Sequence, residues 1–482
     1  MTTRVTERPA RARGTARAAA LRNRVLTDKD KQRYEAARKK LIDAGVKHVQ
    51  AEIPDLDGML RGKILDPAKA ISGSGNSHCT IQFGASVQDN LIETPLGSFE
   101  NGFPDLVALS DLGTLIQWPW APKYASVLQD LYHPEDMRPC SIAPREVLRR
   151  QVEKARAMGF EPYCAVEYEA VLMHVDPELM RQGRHDELPQ MSRTLNFYSL
   201  ARLPDLRVFM EEFLSRMESI GVHIDAFHTE KGAGQIEFAP SYTTSLEAAD
   251  QAIRIKYYAK QLCAERNIAI TFMSRWNMRE VGTGAHVHQS LWKNGRPAFS
   301  EGKPGTFSKT GRQYAAGMMR CMREFTAVVN PFVNSYRRRR SLDWCPENAS
   351  WAPDNRSAAL RVITRPSANS ARIESRQPGG DANPYFSVAT GLASGLYGIE
   401  HALTPPAYAT GNAGHNPRFD RLPTNLKDAT EAFKNSTIAR EVFGDDFVDH
   451  YVTTRENEWR LWQEWLANNV TEWELRRYFE TV

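Results

Sequence analysis

Apolar residues recur with two periods along this chain, and the switch between them outlines its elements. Leu206, Phe209, Met210, Phe213, Met217 and Ile220 keep the three-to-four spacing of one helix face. A helix is therefore predicted over 205–220, stopped by Gly221. Another is predicted over 28–44, capped by Thr27 or Asp28 and ended by Gly45. Strands at 46–53 and 60–65 flank the turn signal Asp57-Gly58. Further strands are predicted over 163–172, 222–227, 235–239, 268–273, 286–292, 360–363 and 371–376, with helices from Pro144, over 313–329 and beyond Pro384. No internal repeat is visible. This order implies an α+β fold: a small strand-rich domain, then a large mixed domain built on an antiparallel sheet. The polar, proline-bearing stretch 133–144 marks the boundary.

Composition narrows the class without choosing a function. With 482 residues, 41% hydrophobic and 25% charged, the chain can bury a large core. A net charge of +4 gives no reason to expect nucleic acid as a partner. No apolar run reaches the roughly 18–20 residues of a bilayer span, so no membrane partner is expected. The six cysteines are scattered without a CxxC pair, which offers no zinc site or disulfide framework, and a reducing cytoplasm is the expected location. Residues 1–26 differ from the rest. They hold seven arginines and one acid, Glu7, and read as a disordered basic tail, with an organelle transit peptide as the second reading.

Strong polar residues then stand two apart inside otherwise apolar strands. Glu167 and Glu169, His286 and His288, and Arg372, Glu374 and Arg376 each share a strand face, while Val166, Tyr168, Val287 and Ile373 take the other. One such pair is commonly a solvated face; several together point to a site. Glu230 and Glu237 flank a glycine-rich turn, Lys231-Gly232-Ala233-Gly234, that can return the second acid to the pocket of the first. The set Glu167, Glu169, Glu230, Glu237, His286 and Glu374 is rich in oxygen ligands and suits Mg²⁺ or Mn²⁺ better than zinc or copper. Arg338, Arg356, Arg361 and Arg376 can grip carboxylate or phosphate bidentately. Metals and arginines without an obvious nucleophile suggest phosphoryl transfer, although no Walker motif is present.

These segments carry a resemblance. Glu167-Tyr168-Glu169, Glu230 with Gly234-Gln235-Ile236-Glu237, Gly284 to Ser290, Asn330 to Tyr336, Asn355 to Arg361 and Arg372 to Arg376 are similar, in order and spacing, to the signatures of glutamine synthetase. The resemblance implies an N-terminal β-grasp domain over 27–138, a catalytic domain over 139–482, and stacked rings, a dodecamer, with each site shared between neighbouring subunits. It implies ATP and Mg²⁺ (or Mn²⁺) as cofactors, and activation of glutamate as an acyl phosphate that an amine captures. Glu167, His286 and Glu374 would hold the ion bridging the nucleotide phosphates, and Glu169, Glu230 and Glu237 the ion beside the acid. Asp225, His288, Ser290, Arg356 and Arg361 fall on the nucleotide side. Glu169, Gly282, Arg338 and Arg376 fall on the acid-substrate side. Asp55 matches the acid a neighbour places at the amine site, so that Asp55, Arg338, Arg356 and Arg376 are the catalytic set. The amine pocket is assigned to Asp55, Phe197, Tyr198, Glu230 and Trp344.

Three departures bear on the substrate. Where the family's loop reads Gly-Tyr-Glu-Ala-Pro, with its Glu helping take a proton from ammonium, Trp344 occupies the Glu position; Asp343 and Glu347 are out of register. A tryptophan offers an apolar aromatic wall and no base. Alkylamines and ammonium are cations at neutral pH and need an anionic pocket and a base. The expectation is a glutamate–amine ligase whose amine is not ammonia and is bulky, an arylamine such as aniline being one form. The alternatives are an ordinary glutamine synthetase and a non-catalytic scaffold. Val281-Gly282-Thr283-Gly284 replaces the family's Asn-Gly-Ser-Gly, which loosens the case for glutamate. The tyrosine adenylylated in some bacterial members is missing from 419–423, so that regulation is not expected.

Overall fold

A computed structural model of the chain describes residues 26–192, 197–340 and 344–482. Residues 1–25 of the expected basic tail and Asp343 lie outside the described residues, while Leu26 packs on the core beneath the first helix. The first helix, α1 (Asp28–Asp43), opens with a capping box in which Thr27 and Asp30 satisfy each other's backbone. It packs through Tyr34 and Leu41 on a six-stranded sheet, with Val46, Val49, Ile71 and Val127 beneath. That sheet comprises β1 (His48–Pro54), β2 (Leu60–Leu65), β3 (Asn76–Cys79), β4 (Asp105–Ser110), β5 (Ile116–Gln117) and β6 (Tyr124–Tyr132), in the order β2-β1-β6-β4-β3 with β5 on β6. β1 runs parallel to β6 and antiparallel to β2, as a helix-crossed mixed sheet requires.

The second sheet has ten strands. These are β7 (Glu161–His174), β8 (Ile224–Thr229), β9 (Gln235–Pro240), β10 (Thr243–Thr244), β11 (Ile268–Thr271), β12 (Ala285–Lys293), β13 (Arg296–Pro297), β14 (Trp351–Pro353), β15 (Leu360–Ile363) and β16 (Arg372–Ser375). The order is β14-β15-β16-β12-β7-β9-β8, with β10 and β11 on β7 and β13 on β12. The sheet is not wholly antiparallel as expected. β14 and β15 run parallel, because residues 354–359 carry the chain back along the sheet edge.

Helices cover one face: α2 (Pro144–Ala157), α3 (Leu203–Ser219), α4 (Ser245–Glu265), α5 (Lys309–Met322), α6 (Pro384–Glu400) and α7 (Asp445–Ala467) complete the mixed domain. Val166, Tyr168, Val287 and Ile373 are buried beneath this layer. The helix expected over 313–329 is broken after Met322, and a short turn, Thr326–Val329, follows. The break lets Phe325 turn onto Phe433 and Phe443. Helix α4 was not legible as a stripe. Ala248, Ala249, Ala252, Ile253, Ile255 and Tyr258 bury several of its sides, and an all-round buried helix has no polar face to reveal its period.

Buried ion pairs join the first sheet to helices of the mixed domain. Arg145 of α2 contacts Asp130 of β6 at 2.5 Å and Asp250 of α4 at 2.8 Å. Arg254 contacts Glu52, and Arg455 of α7 reaches Asp57 in the β1–β2 hairpin at 2.6 Å. No helix among the described residues is long and apolar enough to cross a membrane.

Candidate active site

The uncovered face of the large sheet gathers the polar residues, and strand register explains how. His286 stands opposite Glu167 across β12 and β7. His288 stands opposite Glu374 on β16, and Arg361 of β15 continues that row. Glu237 stands opposite Glu169 on one side and His228 on the other. The alternation 167/169, 286/288/290 and 372/374 therefore aims all of them one way. Gly234 makes the expected return turn. Its φ of 67° is left-handed, and a Cβ there would meet the Leu172 carbonyl oxygen at 2.5 Å. Gly284 is needed for space: a Cβ would lie 2.7 Å from Arg338 Nη2 and 2.8 Å from His286 Nε2.

Distances and charge divide the face into two halves. In one, His288 Nε2 lies 3.1 Å and His286 Nδ1 3.9 Å from Glu167 Oε2. Glu374 accepts from Arg376 and, at 3.1 Å, from Arg361. Burial alone would raise both carboxyls. The neighbouring imidazoles and guanidiniums outweigh it, drawing Glu167 down to about 2 and Glu374 far below the carboxylate range. In the other half acids crowd together. Burial and the charge of Glu230 push Glu169 up to about 7, burial and the charge of Glu237 raise Glu230, and burial with the charges of Glu167 and Glu169 raises Glu237. His228 sits among them, 3.2 Å from Glu237 and 3.5 Å from Glu230.

A divalent cation would relieve that repulsion, and the donors suit one. Ligand atoms of Glu167, Glu237 and His286, of Glu167, His288 and Glu374, and of His228, Glu230 and Glu237 each lie within 4.8 Å of one another. His286 is held neutral by burial and by Arg376 and Arg338, with its pKa at about 3, and its buried Nε2 has no hydrogen-bond partner among the described residues. A neutral imidazole with a free ring nitrogen is what a metal ligand needs.

All six expected metal ligands thus share the face, but they group differently from the expectation: Glu237 also stands with Glu167 and His286, and Glu169 is outside the three close groups among the described residues. His288, expected on the nucleotide side, stands with Glu167 and Glu374. His228, not singled out in the sequence, joins Glu230 and Glu237; its place two residues before Glu230 on a strand was the available signal. Ser290 lies farther along β12 on the same face, and Arg361 stands beside Glu374. Arg338 and Arg376 are buried at the wall, Arg338 Nη1 donating to the carbonyls of Arg376, Gln377 and Pro378. Gly282 packs against Arg338, where a Cβ would meet Cγ at 2.9 Å. Arg356 and Asp225 are exposed, and Asp225 accepts from Ser241.

The amine-side residues come together only in part. The Tyr198 ring lies 4.6 Å from the His228 ring, which places it beside Glu230, and Phe197 packs edge-on to Tyr198. Trp344 is 63% exposed and follows the undescribed residues 341–343. Asp55 is not brought to this face of its own chain. It is 1% exposed and is held in its hairpin by Arg61 at 2.7 Å and the N–H groups of Asp57 and Met59. Glu347 turns toward His415, at 3.6 Å.

Comparison with known proteins gives this geometry a context. The glutamine synthetase catalytic-domain family matches residues 141–478. A glutamate–isopropylamine ligase of Pseudomonas sp is 34% identical over 89% of this chain and 94% of its own length. A gamma-glutamylethanolamide synthetase of Streptomyces coelicolor is 33% identical, over 92% and 95% respectively. The solved ADP complex of GmaS shares the fold, with a TM-score of 0.79 at 24% identity, over 92% of this chain and 99% of that one.

Proposed function

The chain belongs to the glutamine synthetase family, and from that premise we propose that it is an ATP-dependent ligase joining glutamate to an amine other than ammonia. The observation that carries this reading is the single sheet face on which Glu167, Glu169, Glu230, Glu237, His286 and Glu374 meet Arg338, Arg361 and Arg376. Glu167, His286 and Glu374, helped by His288, would hold one Mg²⁺ or Mn²⁺. Glu169, Glu230 and Glu237, helped by His228, would hold the second. Such ions neutralise phosphate charge during transfer.

The side chains do the positioning. Asp225, Ser290, Arg356 and Arg361 hold the nucleotide, with the γ-phosphate toward the arginine wall. Arg338 and Arg376 align the glutamate γ-carboxylate and take up charge as its oxygen bonds to phosphorus and the bond from phosphorus to the ADP oxygen breaks. The amine nitrogen then attacks the acyl carbonyl, phosphate leaves, and the nitrogen loses a proton to a carboxylate, for which Asp55 of a neighbouring copy is the candidate. A ring assembly, a dodecamer, supplies that copy.

Two observations favour an amine over ammonia. Trp344 stands at the position of the family's loop glutamate, with Glu347 engaged elsewhere. Two relatives are named for isopropylamine and for an ethanolamide. Phe197, Tyr198 and Trp344 offer exposed aromatic surface, on which an arylamine such as aniline would stack. The acyl-phosphate route is tested with glutamate carrying ¹⁸O in its γ-carboxylate: one labelled oxygen should appear in the released phosphate, and unlabelled phosphate would refute the route.

A further inference from the structure

A cavity of about 880 Å³ is lined by none of the residues of the candidate active site, and it is within the size of small-molecule sites. It opens between the tip of the β1–β2 hairpin, helix α4 and the segment 332–337, and Tyr257, Phe272, Phe332 and Trp462 give it aromatic sides. Two ammonium groups face it: Lys256, 8% exposed, and Lys260 near the mouth. Lys256 donates to the Gly380 carbonyl at 3.1 Å and lies 5.5 Å from the Tyr168 and Phe272 ring centres. Lys260 lies 5.8 Å from Phe272. Among the described residues no carboxylate reaches ion-pair distance of either lysine.

The acids on the same cavity wall are engaged or disfavoured. Asp57 pairs with Arg455, and Asp381 accepts from Ser274 at 2.7 Å and Ser335 at 2.8 Å; its charge and that of Lys256 favour each other without an ion-pair contact. Burial makes Glu458 harder to ionise. Arg337, the third cation of the wall, lies 5.7 Å from the Trp462 ring. A buried ammonium with no carboxylate in contact is costly, and an anion brought in by a planar apolar body would offset that cost while covering the rings.

We propose that this cavity is a second binding site, for a carboxylate on a flat apolar body, separate from the face where the chemistry runs. Its floor is continuous with the substrate wall. Gly380 follows the segment 376–378 whose carbonyls hold Arg338, and Asp381 bonds Ser335, three residues before Arg338. A carboxylate drawing Lys256 from Gly380 therefore shifts the support of Arg338. This link rests on the role proposed for Arg338; the binding itself does not.

The test uses the full assembled protein without ATP or glutamate, with 3-phenylpropionate as probe and its uncharged amide as control, by calorimetry. The acid should bind in the millimolar range or better. The amide, and the acid with Lys256→Met or Lys260→Met, should each bind about tenfold more weakly. Glutamate should not displace the probe, and Lys260→Met should keep the wild-type circular dichroism. No binding of the acid, equal binding of acid and amide, unchanged affinity in a folded Lys260→Met protein, or displacement by glutamate each overturns the proposal. So does Lys260 that resists amine-reactive labelling in the probe-free assembly, since a neighbouring copy then fills the cavity. During turnover the probe should shift the KM for glutamate several-fold with little change in kcat; an unmoved KM breaks the link to Arg338. Absence of turnover counts against the ligase reading alone.

Discussion

Glu374 is buried between Arg361 and Arg376 and faces His286 across 3.8 Å, so one carboxylate serves both the guanidiniums and the cation site. Glu374→Gln preserves its shape and removes its charge. Mg²⁺ affinity by calorimetry and ATP-dependent phosphate release should both fall about 100-fold; wild-type values would remove Glu374 from the metal set. Gly284→Ala tests space rather than charge. The added methyl would press on Arg338 and His286, and a displacement of that kind costs about 100-fold in kcat. Near-normal turnover would mean that the two side chains yield without consequence. At Trp344 the change runs toward the family pattern. Trp344→Glu should raise kcat/KM for ammonium relative to isopropylamine by about tenfold, because a carboxylate stabilises the cation and takes its proton.

At the scale of elements, the strands with alternating acids or imidazoles were legible because a period of two fixes which side chains share a face. Glu167 with Glu169, His286 with His288, and Arg372 with Glu374 needed no tertiary information. Their mutual grouping did need it. Register decides that His288 meets Glu374 and that His228 meets Glu237, and register comes from neighbouring strands far away in sequence. Helix α4 was missed because it is buried on several sides, and the helix over 313–329 was overextended because a buried Phe325 breaks it without a proline or glycine signal.

The joint between the first sheet and helix α2 makes its own prediction. Burial would raise Asp130, but Arg145 and Arg149 outweigh it and lower its pKa from 3.8 to about 2. A depressed folded pKa contributes stability above the unfolded value and loses it as pH falls from about 4 toward 2. Asp130→Asn should therefore cost about 2 kcal/mol at neutral pH. Chemical denaturation should show that gap closing as pH falls through this range, and a gap independent of pH would contradict the ion-pair account.

For the whole molecule, the position of Asp55 matters most. It is locked in the hairpin of its own chain, and the proposed function takes the Asp55 of each site from a second copy. Asp55→Asn and Glu374→Gln proteins, each inactive, should regain about a quarter of wild-type activity when dissociated and reassembled together, since a mixed ring holds some sites with both residues intact. Failure to complement would place each site within one chain. The most direct test of the central claim is phosphate release by the purified protein with ATP, Mg²⁺, glutamate and a panel of ammonium, isopropylamine, ethanolamine and aniline. Release should require metal and glutamate and be fastest with one of the organic amines; fastest release with ammonium, or none that depends on an amine, would contradict the account.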